Sequence, residues 1–550
     1  MECVKTRINI DDRQYKSWSL EHDLYTNVDP IYMKLFHGDV FTKKDNDIIV
    51  IESMMRKKEH CGILVLDNNR TYGRDKKRLL YRLIPDNNRL PEFLVPYEIK
   101  MGFSKDFKNK YVTFNIGEWT SKHPKATLTS VIGDVNDFGA FCDYRIRCRE
   151  LSHSIAKMQK TIKKSSLSEK DALDNICDKY NFRDHTNKRV FAIDPEGCKD
   201  FDDAMCYEQL DNGWVVYVYI ANVYVWMDEL GLWDDMSMRV STIYLPGRTQ
   251  SMLPNALSED LCSLKKGVRR ATMTTEFKCI DGKITVSHYP SMVNVCRNYV
   301  YDEKALVTMR DYKGLYGVTQ SLDKTVDDSH KLVAFWMMKT NEQCADVLYA
   351  NACGIFRKAS YVNKQKEVRP DLDPQIQRFL YNWKNITGEY VSYENIGEHE
   401  ALGVKQYAQV TSPIRRLVDT INQVYLMMIF SEHVSIKSQM VCSDWIKSIH
   451  IINDSSKNIR KVQRECELLY IHMTQPEKIG KDMEGFVVDS SYNNEKGIWV
   501  NTVLLNEVGT PLLCKTDTQY EPGDKIVVRL YLFENESNLK KKIKVQSMII

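Results

Sequence analysis

Val190-Phe191-Ala192-Ile193-Asp194-Pro195-Glu196-Gly197-Cys198-Lys199-Asp200-Phe201-Asp202-Asp203-Ala204-Met205 is the stretch on which the reading of this chain turns. An apolar strand ends at Asp194, and Pro195 and Gly197 break it into a loop. Asp200, Asp202 and Asp203 follow within four positions before Ala204 opens a second strand. Asp211-Asn212-Gly213 is a hairpin signal, because Asn and Gly tolerate the positive φ of a tight turn, and Trp214 to Ile220 is the return strand. The pattern predicts an acid-lined loop between buried strands. Four carboxylates that close repel one another unless a cation neutralises them. Hard divalent cations take oxygen ligands, and magnesium is often held by a few carboxylates plus substrate phosphate. Two such ions about 4 Å apart can activate water and stabilise a leaving oxygen. Taken alone, D-x-D-D is more often an acidic surface loop. An EF-hand is disfavoured, since its glycine and closing glutamate are out of register after Asp200.

Outside this stretch, composition bounds the answer without choosing it. A chain of 550 residues that is 43% hydrophobic and 27% charged is globular and long enough for three or four domains. A formal net charge of +3 and a pI of about 8.0 are too mild to imply nucleic acid by themselves. The 15 cysteines include no C-x-x-C pair, and Cys206 and Cys262 sit in apolar runs. They read as core residues of a reduced, intracellular and cytoplasmic protein. Met1 to Lys5 contains no apolar signal region, and no apolar run approaches the ~18 residues of a membrane span.

Residues 1 to about 150 are rich in short strands such as Ile48-Ile49-Val50-Ile51 and Ile63-Leu64-Val65-Leu66, separated by turn residues. That spacing suggests small OB-type barrels, a fold that commonly binds single-stranded nucleic acid. Ser166 to Lys179 has helical spacing and reads as a connector. From 478 onward strands return: Gly485 to Val488, Gly497 to Val500, and Lys525 to Val528 after the turn Pro522-Gly523-Asp524. Lys540, Lys541, Lys542 and Lys544 close the chain in a basic strand, suited to phosphate or to a solvated sheet edge.

The acidic stretch resembles the signature of the RNase II/RNB exoribonuclease family, which reads I-D-P, a short gap, then D-x-D-D-A. Arg239-Val240-Ser241-Thr242-Ile243-Tyr244-Leu245-Pro246-Gly247 is similar to its T-x-Y-L-P segment. Met252-Leu253-Pro254, Leu257-Ser258 and Leu261-Cys262-Ser263-Leu264 match the run that follows. Tyr407-Ala408-Gln409-Val410-Thr411-Ser412-Pro413-Ile414-Arg415-Arg416 is similar to the T-S-P-I-R motif, preceded by the H-x-A-L-G-like His399 to Gly403. Read locally, Ser412 is a helix cap and Pro413 the first helical residue, with Leu417, Ile421, Val424 and Met428 on one face and Arg415 in the first turn.

The resemblance implies a magnesium site of two ions, with manganese as a substitute, at Asp194, Asp200, Asp202 and Asp203. It makes Asp202 and Asp203 catalytic and Arg415 the stabiliser of phosphoryl charge. It places Tyr244 against the 3′-terminal nucleotide and Arg415 and Arg416 on RNA. The fold it implies is α+β and multidomain, with OB-type barrels flanking a mixed α/β RNB catalytic domain. Residues 1–80 and 81–155 would be cold-shock-like barrels, 156–477 a helical connector and the catalytic domain, and 478–550 an S1-like barrel. Single-stranded RNA with a free 3′ end would be shortened to nucleoside 5′-monophosphates. No room exists before His37 for the PIN domain of exosome-bound members, which predicts a free-standing monomer. Four positions depart from the family: Tyr219 and Asn222 in its H-I-A-D-V strand, Ala345 where a glutamate is expected, and Gln423 where a histidine is. Tyr219, Ala345 and Gln423 keep open a second reading, a catalytically silent RNA-binding regulator; a metal-dependent DNA nuclease is a separate alternative, discriminated by a substrate with a 2′-deoxy 3′ end.

Overall fold

The computed structural model describes residues 5–548 with the exception of 23–24, 26, 45–46, 100–106, 166–167, 362–369, 373–375, 378–379, 381–385, 432, 495–496, 506–510 and 536–538. Contacts divide the chain into two compact units. One is His153–Ile459; the other joins Met1–Ser152 to Arg460–Ile550.

The first unit is built on a closed barrel of Arg183–Asp194, Asp203–Leu210, Gly213–Ala221, Arg269–Ile280 and Lys283–Val300, in that order. The first and last strands close it in parallel, while the other neighbours are antiparallel. Strand alternation sorts the side chains. Phe191, Ile193, Met205, Val216, Val218, Ile220 and Phe277 form one hydrophobic cluster with Leu332, Phe335 and Trp336 of the helix Ser329–Ala350. Asp328 caps that helix by accepting from Lys331 N. On the other face of the return strand, Tyr217 and Tyr219 stack on each other and pack edge-on against His185. The hairpin expected at Asp211-Asn212-Gly213 pairs Leu210 with Gly213 and, seven positions along, Asp203 with Ile220. The connector helix forms as Glu169–Tyr180, capped by Ser168.

The other unit contains three sheets. A four-stranded and a six-stranded sheet cover the N-terminal part. They share one core, in which Ile8, Phe36 and Phe41 meet Leu64, Leu83, Phe93, Val112 and Phe114. The C-terminal strands Asp482–Asn493, Ile498–Leu505, Pro511–Thr516, Lys525–Asn535 and Lys540–Met548 form a second closed barrel around Val487, Val503, Leu512, Val528 and Leu530. The side chains of Lys540, Lys541, Lys542 and Lys544 lie outside the described residues. The α+β multidomain class is therefore as expected, with β domains on both sides of a mixed α/β domain along the chain. Among the described residues, no helix is long and apolar enough to cross a membrane.

Gly213 lies close against main chain in the barrel of the first unit: a Cβ there would run into Cys279 O. Because the obstacle is main chain, the hairpin must shift to admit a methyl group. Gly213→Ala is expected to destabilise this unit by about 2 kcal/mol or more, read as a lowered denaturation midpoint. An unchanged midpoint would show that the hairpin has room the packing denies.

Candidate active site

The acidic loop is held from below before any of its carboxylates is considered. Asp194 ends one barrel strand and Asp203 begins the next, so the loop between them is tethered at both ends. Ser263 Oγ donates to Lys199 O at 2.7 Å and accepts from Phe201 N at 3.0 Å, and Leu264 N donates to Phe201 O at 3.0 Å. The Leu261 to Leu264 run is in this way a clamp on the acidic loop. The clamp is itself braced by Arg270, which is 3% exposed and donates to Ser263 O and Asp260 O. On the other side, Ala221 N donates to Asp202 O at 2.8 Å.

Asp202 carries the contact that joins the two sequence motifs. It is 3% exposed, and both of its oxygens are taken: Oδ1 accepts from Ile414 N at 2.9 Å and Oδ2 from Arg415 Nε at 2.9 Å. A second arginine nitrogen donates to Ser412 Oγ at 3.1 Å, and the guanidinium also donates to the Tyr244 hydroxyl. Arg415 O accepts from Thr242 N at 3.0 Å, which ties the tyrosine segment to the same turn. Tyr244 lies on a short hairpin, Ile243–Leu245 with Arg248–Gln250, and its ring is 44% exposed.

The helix after this motif starts later than expected. Ser412 does not cap it, and Pro413 is not its first residue; the helix is Leu417–Phe430, with extended Arg416 as its N-cap. Residues 413–415 form a separate turn closed by Arg415 N and Arg416 N on Ser412 O. The reason is that Ile414 N and the Arg415 side chain are engaged by Asp202, and Ser241 pairs with Arg416 as an isolated bridge. Arg416 donates to Asp419 Oδ1 at 2.7 Å, and that oxygen also accepts from Ser412 N. Met428 is 38% exposed rather than on the buried face of Leu417, Ile421 and Val424.

The four aspartates are close enough to feel one another. Burial, then Asp202, pushes the Asp194 carboxyl up to about 7. Burial pushes Asp202 up to about 7 in spite of Arg415, and burial with Asp194 pushes Asp203 up to about 8. Cys198 lies between Asp194 and Asp200, its Sγ 3.7 Å from an oxygen of each. Burial and these carboxylates raise the thiol, so it stays a protonated donor. Among the described residues, Asp194 Oδ2 is buried without a hydrogen-bond partner. An all-oxygen set with an orphaned buried oxygen fits the donor chemistry of a hard divalent cation. Among the described residues, however, no three His, Cys, Asp or Glu side chains are grouped to hold a metal ion as they stand.

The family departures are absorbed as local supports. Asn222 caps the helix Val223–Glu229 by accepting from Val225 N. Gln423 donates to Ala221 O at 2.8 Å and accepts from Tyr224 N at 3.2 Å, so it grips the turn whose Ala221 N holds Asp202 O. Tyr219 donates to or accepts from His185 Nδ1 at 3.0 Å, and Ala345 is fully buried. Sequence reasoning missed Asn341. Its amide, 3% exposed, donates to Tyr407 Oη at 3.0 Å and Thr411 Oγ1 at 3.2 Å and accepts from Val410 N at 2.8 Å. A polar residue in the middle of an otherwise apolar helix face was the only signal for it.

Buried carboxylates on a braced loop, opposed by one half-exposed arginine and an accessible aromatic ring, form the kind of site that handles a cation together with a phosphate ester. A family model described as "RNB domain" matches residues 182–311 and 304–432, which contain all of these groups. The chain is 23% identical to ribonuclease R of Mycoplasma genitalium, over 82% of this chain and 72% of that protein. Its fold is similar to the structure titled "Mycoplasma genitalium RNase R in complex with ribose methylated single-stranded RNA", with a TM-score of 0.70 at 18% identity, covering 98% of this chain and 100% of that one. It is also similar to "Structure of yeast Ssd1, a pseudonuclease", with a TM-score of 0.58 at 12% identity, covering 96% and 81% of the two chains. The chain carries an RNB domain and is homologous to the ribonuclease R and RNase II family of exoribonucleases.

Asn341→Ala would leave Val410 N buried without a partner and free the segment that leads into Thr411 and Ser412. Its expected cost is about 1–3 kcal/mol of stability, read by denaturation. Ser412 N protection from hydrogen exchange should fall with it. Retained protection would mean that Asn341 does not position the turn.

Proposed function

We propose that this chain is a divalent-metal-dependent 3′→5′ exoribonuclease that hydrolyses single-stranded RNA to nucleoside 5′-monophosphates. The observation that carries the reading is the pairing of Asp202 with Arg415, 213 positions apart, inside one cluster of aspartates. In this reading Asp194, Asp200, Asp202 and Asp203 hold two magnesium ions, for which manganese can substitute. When bound, such ions supply an activated water and a counter-charge for the leaving oxygen. The rest is done by side chains. Tyr244 offers its exposed ring to the 3′-terminal base, and stacking of this kind tolerates any sequence. The Arg415 side chain is 45% exposed beside the cluster and can donate to a phosphoryl oxygen whose charge grows in the transition state. Arg416, tied to Asp419, keeps the turn in place and adds positive charge near the RNA backbone. The partner is single-stranded RNA with a free 3′ end.

A specific observation favours a second reading, an RNA-binding protein without catalysis: each Asp202 oxygen already accepts a hydrogen bond, and the fold is similar to that of a pseudonuclease. The two readings part in one assay. A 5′-labelled poly(A) 30-mer should be shortened from its 3′ end in magnesium and remain intact in EDTA. Asp202→Asn is expected to slow shortening by about a hundredfold or more. RNA that is bound tightly yet intact under magnesium and manganese would establish the silent protein instead.

A further inference from the structure

We infer that Arg415 and a divalent cation are alternative partners of Asp202, so that the arginine acts as a resting latch on the site and must leave it when a cation binds. This rests on the reading of the aspartate cluster as a cation site. The starting point is an asymmetry between the two ends of the ion pair. Asp202 is 3% exposed at its side chain and Arg415 45%. The carboxylate cannot be turned to water, because its main chain is fixed by Ala221 N and its loop by Ser263. A buried carboxylate left without a counter-charge is strongly unfavourable, so one positive partner must always be present. The guanidinium has no such constraint. It already donates to Ser412 Oγ and to the Tyr244 hydroxyl, so it has polar partners to keep once it lets go of Asp202.

The remaining groups point the same way. Asp194 keeps one buried oxygen without a partner, which Arg415 does not reach. The pair therefore satisfies only part of the cluster. A dication in the same place would supply more charge and take oxygens that the arginine leaves idle. An incoming phosphate ester would draw the guanidinium in the same direction, since arginine pairs with phosphate through charge-assisted hydrogen bonds. Cation binding and RNA binding should then help each other, by reciprocal linkage. Arg415 is in this account a positioning residue for Asp202 before it is a contact to substrate.

The test is Mn²⁺ binding to the full-length protein without RNA, read by electron paramagnetic resonance of the free ion. Arg415→Gln is expected to tighten binding by about three- to tenfold, the worth of a half-exposed ion pair expressed as affinity. Arg415→Lys keeps the charge but not the planar Nε donor, and should fall between wild type and Arg415→Gln. In an Asp202→Asn background the same arginine substitution should change the affinity by less than about twofold. Unchanged or weaker binding in both arginine variants would overturn the latch. So would an equal gain in the Asp202→Asn background, because that would be a general field effect. Absence of Mn²⁺ binding in every variant would reject the cation-site reading itself, an outcome distinct from the first two.

Discussion

A carboxylate buried at the junction of two distant segments has to be compensated, and the architecture of this domain follows from how Asp202 is compensated. Its two oxygens are met by one main-chain amide and one guanidinium, both from the turn at Ser412 to Arg416. Arg415 is half-exposed, so the ion pair itself is worth about 1 kcal/mol. The contact joins the acidic loop to the turn through two donors at once. It also decides the shape of that turn, which stays out of the helix that follows because its donors point to Asp202.

Around this contact the supports are arranged in rings. Ser263, braced by Arg270, holds the loop by its main chain. Ala221 holds the main chain of Asp202, and Gln423 holds the turn that carries Ala221. Asn341 holds the segment entering Ser412 from the opposite side. Ser263, Arg270, Gln423 and Asn341 are polar, nearly or fully buried, and each makes at least one bond to main chain. Such bonds are worth little individually but costly to leave unmade, so together they restrict where the aspartates can be. Of the positions that depart from the family pattern, Gln423 belongs to these supports, while Asn222 caps the helix after Ala221 and Tyr219 pairs with His185.

Much of this was legible in the chain itself, and the reason is periodicity and turn chemistry. Val190 to Ile193 and Trp214 to Ile220 read as buried strands, Asp211-Asn212-Gly213 as their hairpin, and the order of motifs placed the aspartates and Arg415 in one site. The start of the helix at Leu417 was not legible, because Ser412 and Pro413 are good start signals locally and only a partner 213 positions away overrules them. Asn341 and the grip of Gln423 were hidden for the same reason: side-chain to main-chain bonds across the fold leave no spacing in the sequence. Cys198 reads as an ordinary loop residue, and only the fold sets it between Asp194 and Asp200.

The most direct test of the account is an anomalous diffraction map from crystals of the protein soaked in Mn²⁺, compared with the same crystals without metal. The account predicts a manganese peak about 2.0–2.2 Å from oxygens of the aspartate cluster, Asp202 among them, with the Arg415 guanidinium turned away from Asp202. It predicts the Arg415–Asp202 pair intact in the metal-free crystals. A map with no peak at the cluster, or a peak with Arg415 still seated on Asp202, would contradict it.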